Sequence, residues 1–126
     1  MKALLIDVIE PKVTIVDTDG LDDYYKYIHC DCIDVTMRKV NNSCVYIVCD
    51  DTGALTRRPV ISASDMVGDN IYGNILIFSG ELVGDGFFQS LSADEMADVL
   101  SNIVFAKSIT SSHDDFHFVL RFNPSC

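Results

Sequence analysis

The amino-acid sequence predicts an α+β fold, a single domain over residues 1–126 in which a mainly antiparallel sheet is covered by a C-terminal amphipathic helix plus a short N-terminal helix. Three observations lead to this prediction. Short apolar runs bounded by turn residues recur along the chain and have the length of strands. A capping-box sequence, Ser92-Ala93-Asp94-Glu95, precedes apolar residues at helical spacing. The 126 residues, 48% of them apolar, suffice for one hydrophobic core.

The first half of the chain contains two predicted strand pairs separated by a helix. The strands are Lys2–Val8, Lys12–Asp17, Cys32–Val40 and Cys44–Asp50. A turn containing Pro11 joins the first pair, and the loop Asn41-Asn42-Ser43 predicts a hairpin for the second. Within Leu21–Ile28 the apolar residues recur at i, i+3, i+4 and i+7, which predicts a short helix with Asp19 as its N-cap.

The second half contains the clearest helix signal and a final alternating strand. The predicted elements are a short strand or an extended connection over Ala54–Arg58, a buried strand over Asn74–Ser79, a hairpin turn at Gly84-Asp85-Gly86, a helix over Ala93–Phe105, a loop over Ser108–Asp115 and a strand over Phe116–Phe122. In that last strand, phenylalanines alternate with His117, which predicts a solvent-facing histidine. The sequence therefore predicts one sheet with helices packed on it.

The charge of the chain limits its partners. It has 19 acidic and 9 basic residues, a formal net charge of −10. A duplex-binding face needs a basic patch, so direct nucleic-acid binding is not expected. The apolar runs are far shorter than the roughly 18 residues of a membrane span, and the N-terminus lacks the pattern of a signal peptide. We therefore expect a cytoplasmic protein that does not enter a membrane.

The cysteines predict neither a disulfide framework nor a metal site. They are Cys30, Cys32, Cys44, Cys49 and Cys126. An odd number without an export signal favours reduced thiols. His29 beside Cys30 and Cys32 suggests metal, but structural zinc sites space their cysteines by two to four residues, and this pair is separated by one. We expect no metal and no cofactor.

Known catalytic patterns are absent from the sequence. It contains neither the P-loop nor the glycine pattern of dinucleotide-binding folds. His113, beside two aspartates, and the paired aspartates elsewhere lie at predicted caps, turns or loops, where such residues serve local structure. The sequence therefore predicts a protein that is not an enzyme.

Arg57 and Arg58 are unusual because this acidic chain places them side by side, before Pro59. Guanidinium groups offer a planar fork of donors that suits phosphates and carboxylates. Neighbours on an extended segment point to opposite sides, so we expect one arginine to pair with a nearby aspartate and the other to face a ligand or second subunit. Surface ion pairing alone is the alternative.

Aromatic residues complete the predicted binding surface. Phe87 and Phe88 lie in a glycine-flanked segment, which places at least one ring towards solvent, a pocket or a partner. Tyr24 and Tyr25 lie on the apolar helix face and are expected in the core, whereas Tyr27 lies off that face. The predicted ligand-binding residues are Arg57, Arg58, Phe87, Phe88 and Tyr27.

The string MKALLIDVIEPKVTIVD resembles the opening of a small uncharacterised family common in phages, prophages and plasmids, known only as a domain of unknown function. The resemblance continues through VYIVCDDTGAL, GNILIFSG and QSLSADEMADVL, and so covers residues 1–105. It implies an origin in a mobile element and an accessory role in the host cytoplasm, and it brings no catalytic residues. Family members often have an asparagine-containing segment where this chain has Arg57-Arg58-Pro59.

Two functions follow as expectations. The first is non-covalent binding of a small anionic nucleotide-type molecule, by which a phage protein could sequester a host defence signal. The alternative is an acidic protein-binding inhibitor that imitates nucleic-acid charge and docks on a basic host enzyme. A homo-oligomer would suit either function, since half-sites can be completed across an interface.

Overall fold

A computed structural model of the chain describes residues 1–52, 60–83, 87–107 and 116–123, and of residues 82, 83, 87 and 107 it describes the backbone alone. The strands are β1 (Lys2–Asp7), β2 (Lys12–Asp17), β3 (Ile33–Val40), β4 (Ser43–Asp50), β5 (Ile61–Ser64), β6 (Asn70–Tyr72), β7 (Ile75–Val83), β8 (Phe87–Gln89), β9 (Ile103–Lys107) and β10 (Phe116–Arg121). The helices are α1 (Leu21–Ile28) and α2 (Ala93–Ser101). The predicted segment Ala54–Arg58, turn Gly84-Asp85-Gly86 and loop Ser108–Asp115 fall wholly or largely outside the described residues.

The larger sheet has six strands in the order β2-β1-β7-β4-β3, and β8 also pairs with β7. All of these pairs are antiparallel. The predicted hairpin over β3 and β4 is confirmed, with Val40 paired to Ser43 across a two-residue turn. Asn41 in that turn has a φ of 54°, which asparagine tolerates better than most residues.

The smaller sheet has four strands in the order β6-β5-β10-β9. Strand β10 runs parallel to β5, and the other pairs are antiparallel. Beyond the end of β10, Asn123 forms a bridge to Lys39 of β3, with backbone N···O distances of 2.8 and 3.2 Å. This bridge ties the smaller sheet to an edge of the larger one.

The central strands of the six-stranded sheet are buried on both faces, and β7 shows how. Ile75 and Ile77 belong to a core cluster that includes residues of the four-stranded sheet and Val99 of α2. Leu76 and Phe78, which alternate with them, belong to a second cluster with α1. Continuous apolar runs such as NILIF are typical of strands covered on both sides.

The two helices begin differently. The capping box of α2 is confirmed: the Glu95 N–H donates to the Ser92 hydroxyl over 3.1 Å, and the Ser92 N–H donates to the Glu95 carboxylate over 2.9 Å. Helix α1 has the predicted bounds, but its N-cap is Gly20 and not Asp19. No side chain caps this helix; instead the Asp19 N–H donates to the Asp23 carboxylate over 2.7 Å.

Three other predictions are wrong in detail. Helix α2 stops at Ser101, and residues from Ile103 onwards form β9, because pairing with β10 overrides a helical spacing carried by β-branched residues. There are two sheets where one was predicted. His117 is 5% exposed, and so it is buried and not solvent-facing. The coarse prediction of a mostly antiparallel fold with two short helices is confirmed. Neither helix that the structure describes is long and apolar enough to cross a membrane.

Candidate functional site

The structure describes two of the five predicted ligand-binding residues in full. Arg57 and Arg58 lie outside the described residues, as does the side chain of Phe87. The Phe88 ring stacks on the ring of Phe78, with centroids 4.9 Å apart. Tyr27 packs at the margin of the same core cluster, and Phe88 and Tyr27 therefore both lie against the core between α1 and the six-stranded sheet.

A cleft of about 220 Å³ lies where the two sheets meet, and it is predominantly polar. We call it the cation-lined cleft. Its polar walls are Lys39, Asn41, Ser64, Asp65, Asn102, Arg121 and Asn123, and its apolar walls are Met66 and Phe122. These residues come from β3, the β5–β6 turn, the α2–β9 junction and the end of β10.

Backbone hydrogen bonds hold these segments together. The Arg121 N–H donates to the Asn102 carbonyl over 2.9 Å, and the Phe122 N–H donates to the Ser64 carbonyl over 3.2 Å. With the Lys39–Asn123 bridge, they fix the backbone on three sides of the cleft. The positions of Lys39, Ser64 and Arg121 therefore follow from strand geometry, whereas the other lining residues lie in turns or just beyond the ends of strands.

Lys39 and Arg121 are the two cations of the cleft, and both are exposed. Neither forms an ion pair with any residue that the structure describes. Arg38, next in sequence to Lys39, is the opposite case. Its guanidinium donates to the Asp69 carboxylate over 3.1 Å and to the Met37 carbonyl over 2.8 Å, and it stacks over the ring of Phe122. Arg38 is therefore engaged in the protein, whereas Lys39 and Arg121 are exposed and have no ion pair with a described residue.

Asp65 is the carboxylate of the cleft, and its Oδ1 is occupied by the turn that follows it. This oxygen accepts the N–H groups of Val67, Gly68 and Asp69 over 2.8, 3.1 and 3.0 Å. The hydrogen bond from Val67, followed by those from Asp69 and Gly68, lowers the pKa of Asp65. The carboxyl is therefore ionised at neutral pH, and two cations against one anion give the cleft a formal charge of +1 on a chain of −10.

The asparagines of the cleft differ in their availability. The side-chain amide of Asn102 donates to the Asp98 carbonyl over 2.9 Å, at the end of α2. That of Asn41 reaches the Asp98 carboxylate over 3.4 Å. The exposed Asn123 amide bonds to no group in the described part of the chain, and we regard it as the free amide of the cleft.

A second cleft, also of about 220 Å³, lies between the edges of β3 and β6. We call it the acidic cleft. Asp34, Asp50, Asp51 and Asp69 line it, with Arg38 as its cation. Among the residues described, no group of three or more His, Cys, Asp or Glu side chains is arranged to hold a metal ion.

Two of the described cysteines, Cys30 and Cys49, have thiols of low reactivity. Cys30, Cys32 and Cys49 are free, as predicted, but Cys44 is disulfide-bonded, which corrects the prediction of reduced thiols at that position. Burial, with nearby carboxylates adding to it, raises the pKa of Cys30 to about 11 and that of Cys49 to about 12. Both thiols are therefore protonated at neutral pH and are poor nucleophiles.

Sequence reasoning did not single out Lys39 or Arg121, although a signal was present. Neither has an acidic residue within four positions in a chain with twice as many acids as bases. The adjacent arginines at positions 57 and 58 are more conspicuous in the sequence, and the predicted ligand-binding residues therefore include them and not Lys39 or Arg121. The convergence of Lys39 and Arg121 depends on pairing between distant segments.

Comparison with known proteins places the chain in a family without assigning it an activity. Residues 1–103 match the family described as "Domain of unknown function (DUF3846)". No curated protein and no solved structure matches the chain. The match ends as β9 begins, so Arg121 and Asn123 of the cleft lie beyond it. Since it covers well over half of the 126 residues, the chain belongs to the DUF3846 family.

Proposed function

We propose that this protein acts by non-covalent binding of a small anionic nucleotide-type molecule, as an accessory protein of a phage or other mobile element in the host cytoplasm. The signalling nucleotides of host defence systems are the ligands of greatest interest, because sequestering them would serve a mobile element. This role needs a binding site and no catalytic group.

The observation that carries the proposal is the presence in the cation-lined cleft of two cations that form no ion pair with a described residue. In a chain with 19 acidic residues, Lys39 and Arg121 have acids available but pair with none of those described. Arginine offers a planar fork of donors to a phosphate and lysine offers a compact charge. A concave site with local positive charge can attract an anion even on a protein of opposite net charge.

The remaining walls suit the other parts of a nucleotide. The Asn123 amide can donate to a phosphate or a ribose hydroxyl, while Met66 and Phe122 offer apolar surface beside it. The volume of about 220 Å³ is below the roughly 300–1,000 Å³ of typical ligand pockets. The cleft therefore fits one phosphate with its sugar, and the rest of the ligand would remain at the surface.

Calorimetry with cyclic dinucleotides, cyclic trinucleotides, cyclic ADP-ribose isomers and AMP would test the proposal. We expect Lys39→Gln and Arg121→Gln each to weaken binding of the best ligand by about ten- to hundred-fold, because a charge-assisted hydrogen bond contributes about 1.5–3 kcal/mol. Lys2→Gln is the matched control, since Lys2 is also exposed and outside any ion pair of the described residues, but lies three strands from β3. No binding at high micromolar ligand would refute the proposal.

The residues first predicted from sequence enter the same titrations. Arg57→Gln and Arg58→Gln test whether the adjacent arginines bind the ligand as well. Three more variants test whether the predicted aromatic residues bind the ligand: Phe87→Ala, Phe88→Ala and Tyr27→Ala. Loss of binding in these variants but not in Lys39→Gln or Arg121→Gln would move the site away from the cation-lined cleft.

The acidic cleft favours a second function, the acidic protein-binding inhibitor of a basic host enzyme. Its four aspartates gather between the edges of β3 and β6, and like charges so close together imitate the charge of nucleic-acid phosphates. Retention of a host protein from lysate should then weaken steeply between about 0.05 and 0.5 M salt. Asp50→Asn with Asp51→Asn should release that protein, and Asp22→Asn with Asp23→Asn on α1 serves as the control of equal charge change. Retention that does not respond to salt would exclude this function.

A further inference from the structure

Strands β9 and β10 of the four-stranded sheet carry a row of aromatic side chains, two of which are exposed. Phe105 of β9 is 58% exposed and Phe116 of β10 is 50% exposed. Their rings stack with centroids 5.4 Å apart. The ring centroid of Phe105 also lies 4.9 Å from that of Phe118, its partner on β10 in the strand pair. We call Phe105, Phe116 and Phe118 the aromatic row. Large rings are seldom left this exposed together unless they contact a partner.

Strand β9 is also an edge without the usual protection. It pairs with β10 and with no other strand that the structure describes. Natural edge strands commonly carry charges that discourage further pairing. The edge strand β3 has Asp34, Arg38 and Lys39, whereas β9 reads IVFAK and has its one charge at the last position. The backbone of β9 is therefore a suitable template for another strand.

We propose that two copies of this chain associate through their β9 strands, as an antiparallel pair across a two-fold axis at Phe105. The strand contains five residues, and centring the axis on the third gives the largest overlap. Phe105 then lies opposite its own copy, Val104 opposite Ala106, and Ile103 opposite Lys107. Side chains opposite one another share a face, so the aromatic rows of both copies become continuous across the axis.

Charge favours a second copy as the occupant of this edge. Two chains of −10 repel each other over most of their surfaces, yet β9 and β10 contain no Asp or Glu. The proposed register also keeps like charges apart, because Lys107 faces Ile103 and not its own copy. The proposed interface therefore lies on strands that carry no acidic residue, and salt should strengthen it by screening the repulsion between the acidic residues elsewhere.

The exposed area predicts a weak dimer. At half exposure a phenylalanine ring offers about 100 Å² of apolar surface, so two rings from each copy contribute roughly 400 Å². Stable interfaces bury about 1,200–2,000 Å² in total. The backbone pairing adds about one hydrogen bond per residue pair. We expect a dissociation constant on the order of tens to hundreds of micromolar.

Sedimentation equilibrium on the full chain, from about 10 µM to 1 mM, tests the proposal. The Cys32→Ser background prevents intermolecular disulfides through that exposed thiol. Dimerisation should tighten between 0.05 and 0.5 M NaCl, and Phe105→Lys should weaken it at least ten-fold. Val35→Lys, at an exposed apolar position of the other sheet's edge strand β3, should leave it unchanged.

Several results would overturn the proposal. They are a monomer at 1 mM, a dimer insensitive to Phe105→Lys, and a dimer that salt weakens, which would point to an interface between opposite charges.

If circular dichroism shows that Phe105→Lys does not fold, Phe105→Cys replaces it. Mild oxidation should cross-link that variant to its own copy, because position 105 lies on the axis, and should not cross-link Val35→Cys. Failure of that cross-link in a folded protein would equally reject the register. The ligand titrations do not depend on this interface, so the two proposals can fail separately.

Discussion

Removing the Glu95 carboxylate should destabilise the protein more than its position in the first turn of a helix implies. Glu95 accepts the Ser92 N–H at 2.9 Å and the Ser79 hydroxyl at 2.8 Å. The first bond closes the capping box of α2, and the second ties that helix to β7. Ser79 is 2% exposed, so water cannot replace its lost acceptor. The perturbation is Glu95→Ala, with Glu95→Gln as a milder form.

The magnitude follows from these two bonds. A buried hydroxyl left without its partner costs about 1–3 kcal/mol, and the loss of a cap costs about 1 kcal/mol. Glu95→Ala should therefore lower the free energy of unfolding at pH 7 by about 2–4 kcal/mol. Glu95→Gln keeps one carbonyl oxygen and loses the charge, so its effect should be about 1–2 kcal/mol.

The stability that the Glu95 carboxylate contributes should decrease as the pH falls. Burial raises the pKa of Glu95, but the hydrogen bonds from Ser92 and Ser79 outweigh it, and the net shift is below the ordinary value of 4.5. A carboxyl with a lowered pKa in the folded state stabilises the protein fully above about pH 4.5, and this contribution is lost as the pH falls through the folded-state value. The difference between wild type and Glu95→Gln should thus shrink as the pH falls from 7 to 3.

Urea unfolding at pH 7 and pH 3, followed by circular dichroism, measures these differences. Asp94→Asn is the control, because Asp94 is an exposed acid of the same helical turn, and its replacement removes the same charge at a cost of a few tenths of a kcal/mol. The reasoning is refuted if Glu95→Ala lies within 0.5 kcal/mol of Asp94→Asn. It is equally refuted if the cost of Glu95→Gln is the same at both pH values.

Three further predictions concern packing and the thiols. Gly80→Ala should lower the free energy of unfolding by about 3 kcal/mol or more, since the added Cβ would lie 2.1 Å from the backbone oxygen of Cys44; a chemical denaturation midpoint like that of wild type would contradict this. Asn74→Ala should lower the free energy of unfolding by about 2–4 kcal/mol in the same assay. The buried amide accepts the Val8 N–H at the first hairpin turn over 2.9 Å and donates to the Tyr27 carbonyl of α1 over 3.0 Å, and a loss below 1 kcal/mol would show that water replaces these bonds. At pH 8 a maleimide should label exposed Cys32 at once and Cys49, whose pKa is about 12, only on unfolding. Mass spectrometry of the labelled peptides measures the order, and labelling of Cys49 before Cys32 would contradict the prediction.

Local signals account for the parts of the fold that the sequence predicted well. Helix α1 and strand β2 have the predicted bounds, and the capping box places the start of α2 at Ala93. In each case the determining contacts lie within a few residues, as between Ser92 and Glu95. Such patterns can be recognised without knowledge of the rest of the chain.

Elements defined by distant pairing could not be predicted in the same way. Strand β5 is four residues long and contains two serines, Ser62 and Ser64, whose burial the sequence does not indicate. Each finds a partner, since the Ser62 hydroxyl donates to the Ile71 carbonyl at 3.2 Å and Ser64 bonds to the Asn70 side chain at 2.6 Å. The pairing of β5 with β10 joins segments more than fifty residues apart. The predicted helix over Ala93–Phe105 runs into β9 because the spacing of its apolar residues is helical, and only pairing with β10 makes the end of that segment a strand.

The candidate site was harder to predict than the fold, because its residues carry no common motif. Lys39 lies one residue before the end of a hairpin strand, Asn102 is the C-cap of a helix and Arg121 ends the last described strand. Each has a local role that the sequence explains without a ligand. They come together only where β3, β5 and β10 meet, and there Lys39 and Arg121 have no ion pair with any described residue.

The last strand separates what this chain shares with its family from what it adds. Residues 1–103 include both helices and every strand of the six-stranded sheet. Strand β10 lies beyond that match, in the middle of the four-stranded sheet, and it joins β5 to β9. From the end of this segment come Arg121 and Asn123 of the cleft, and from its start come Phe116 and Phe118 of the aromatic row. The family match thus defines a scaffold, and both proposals of binding depend on the strand that completes it.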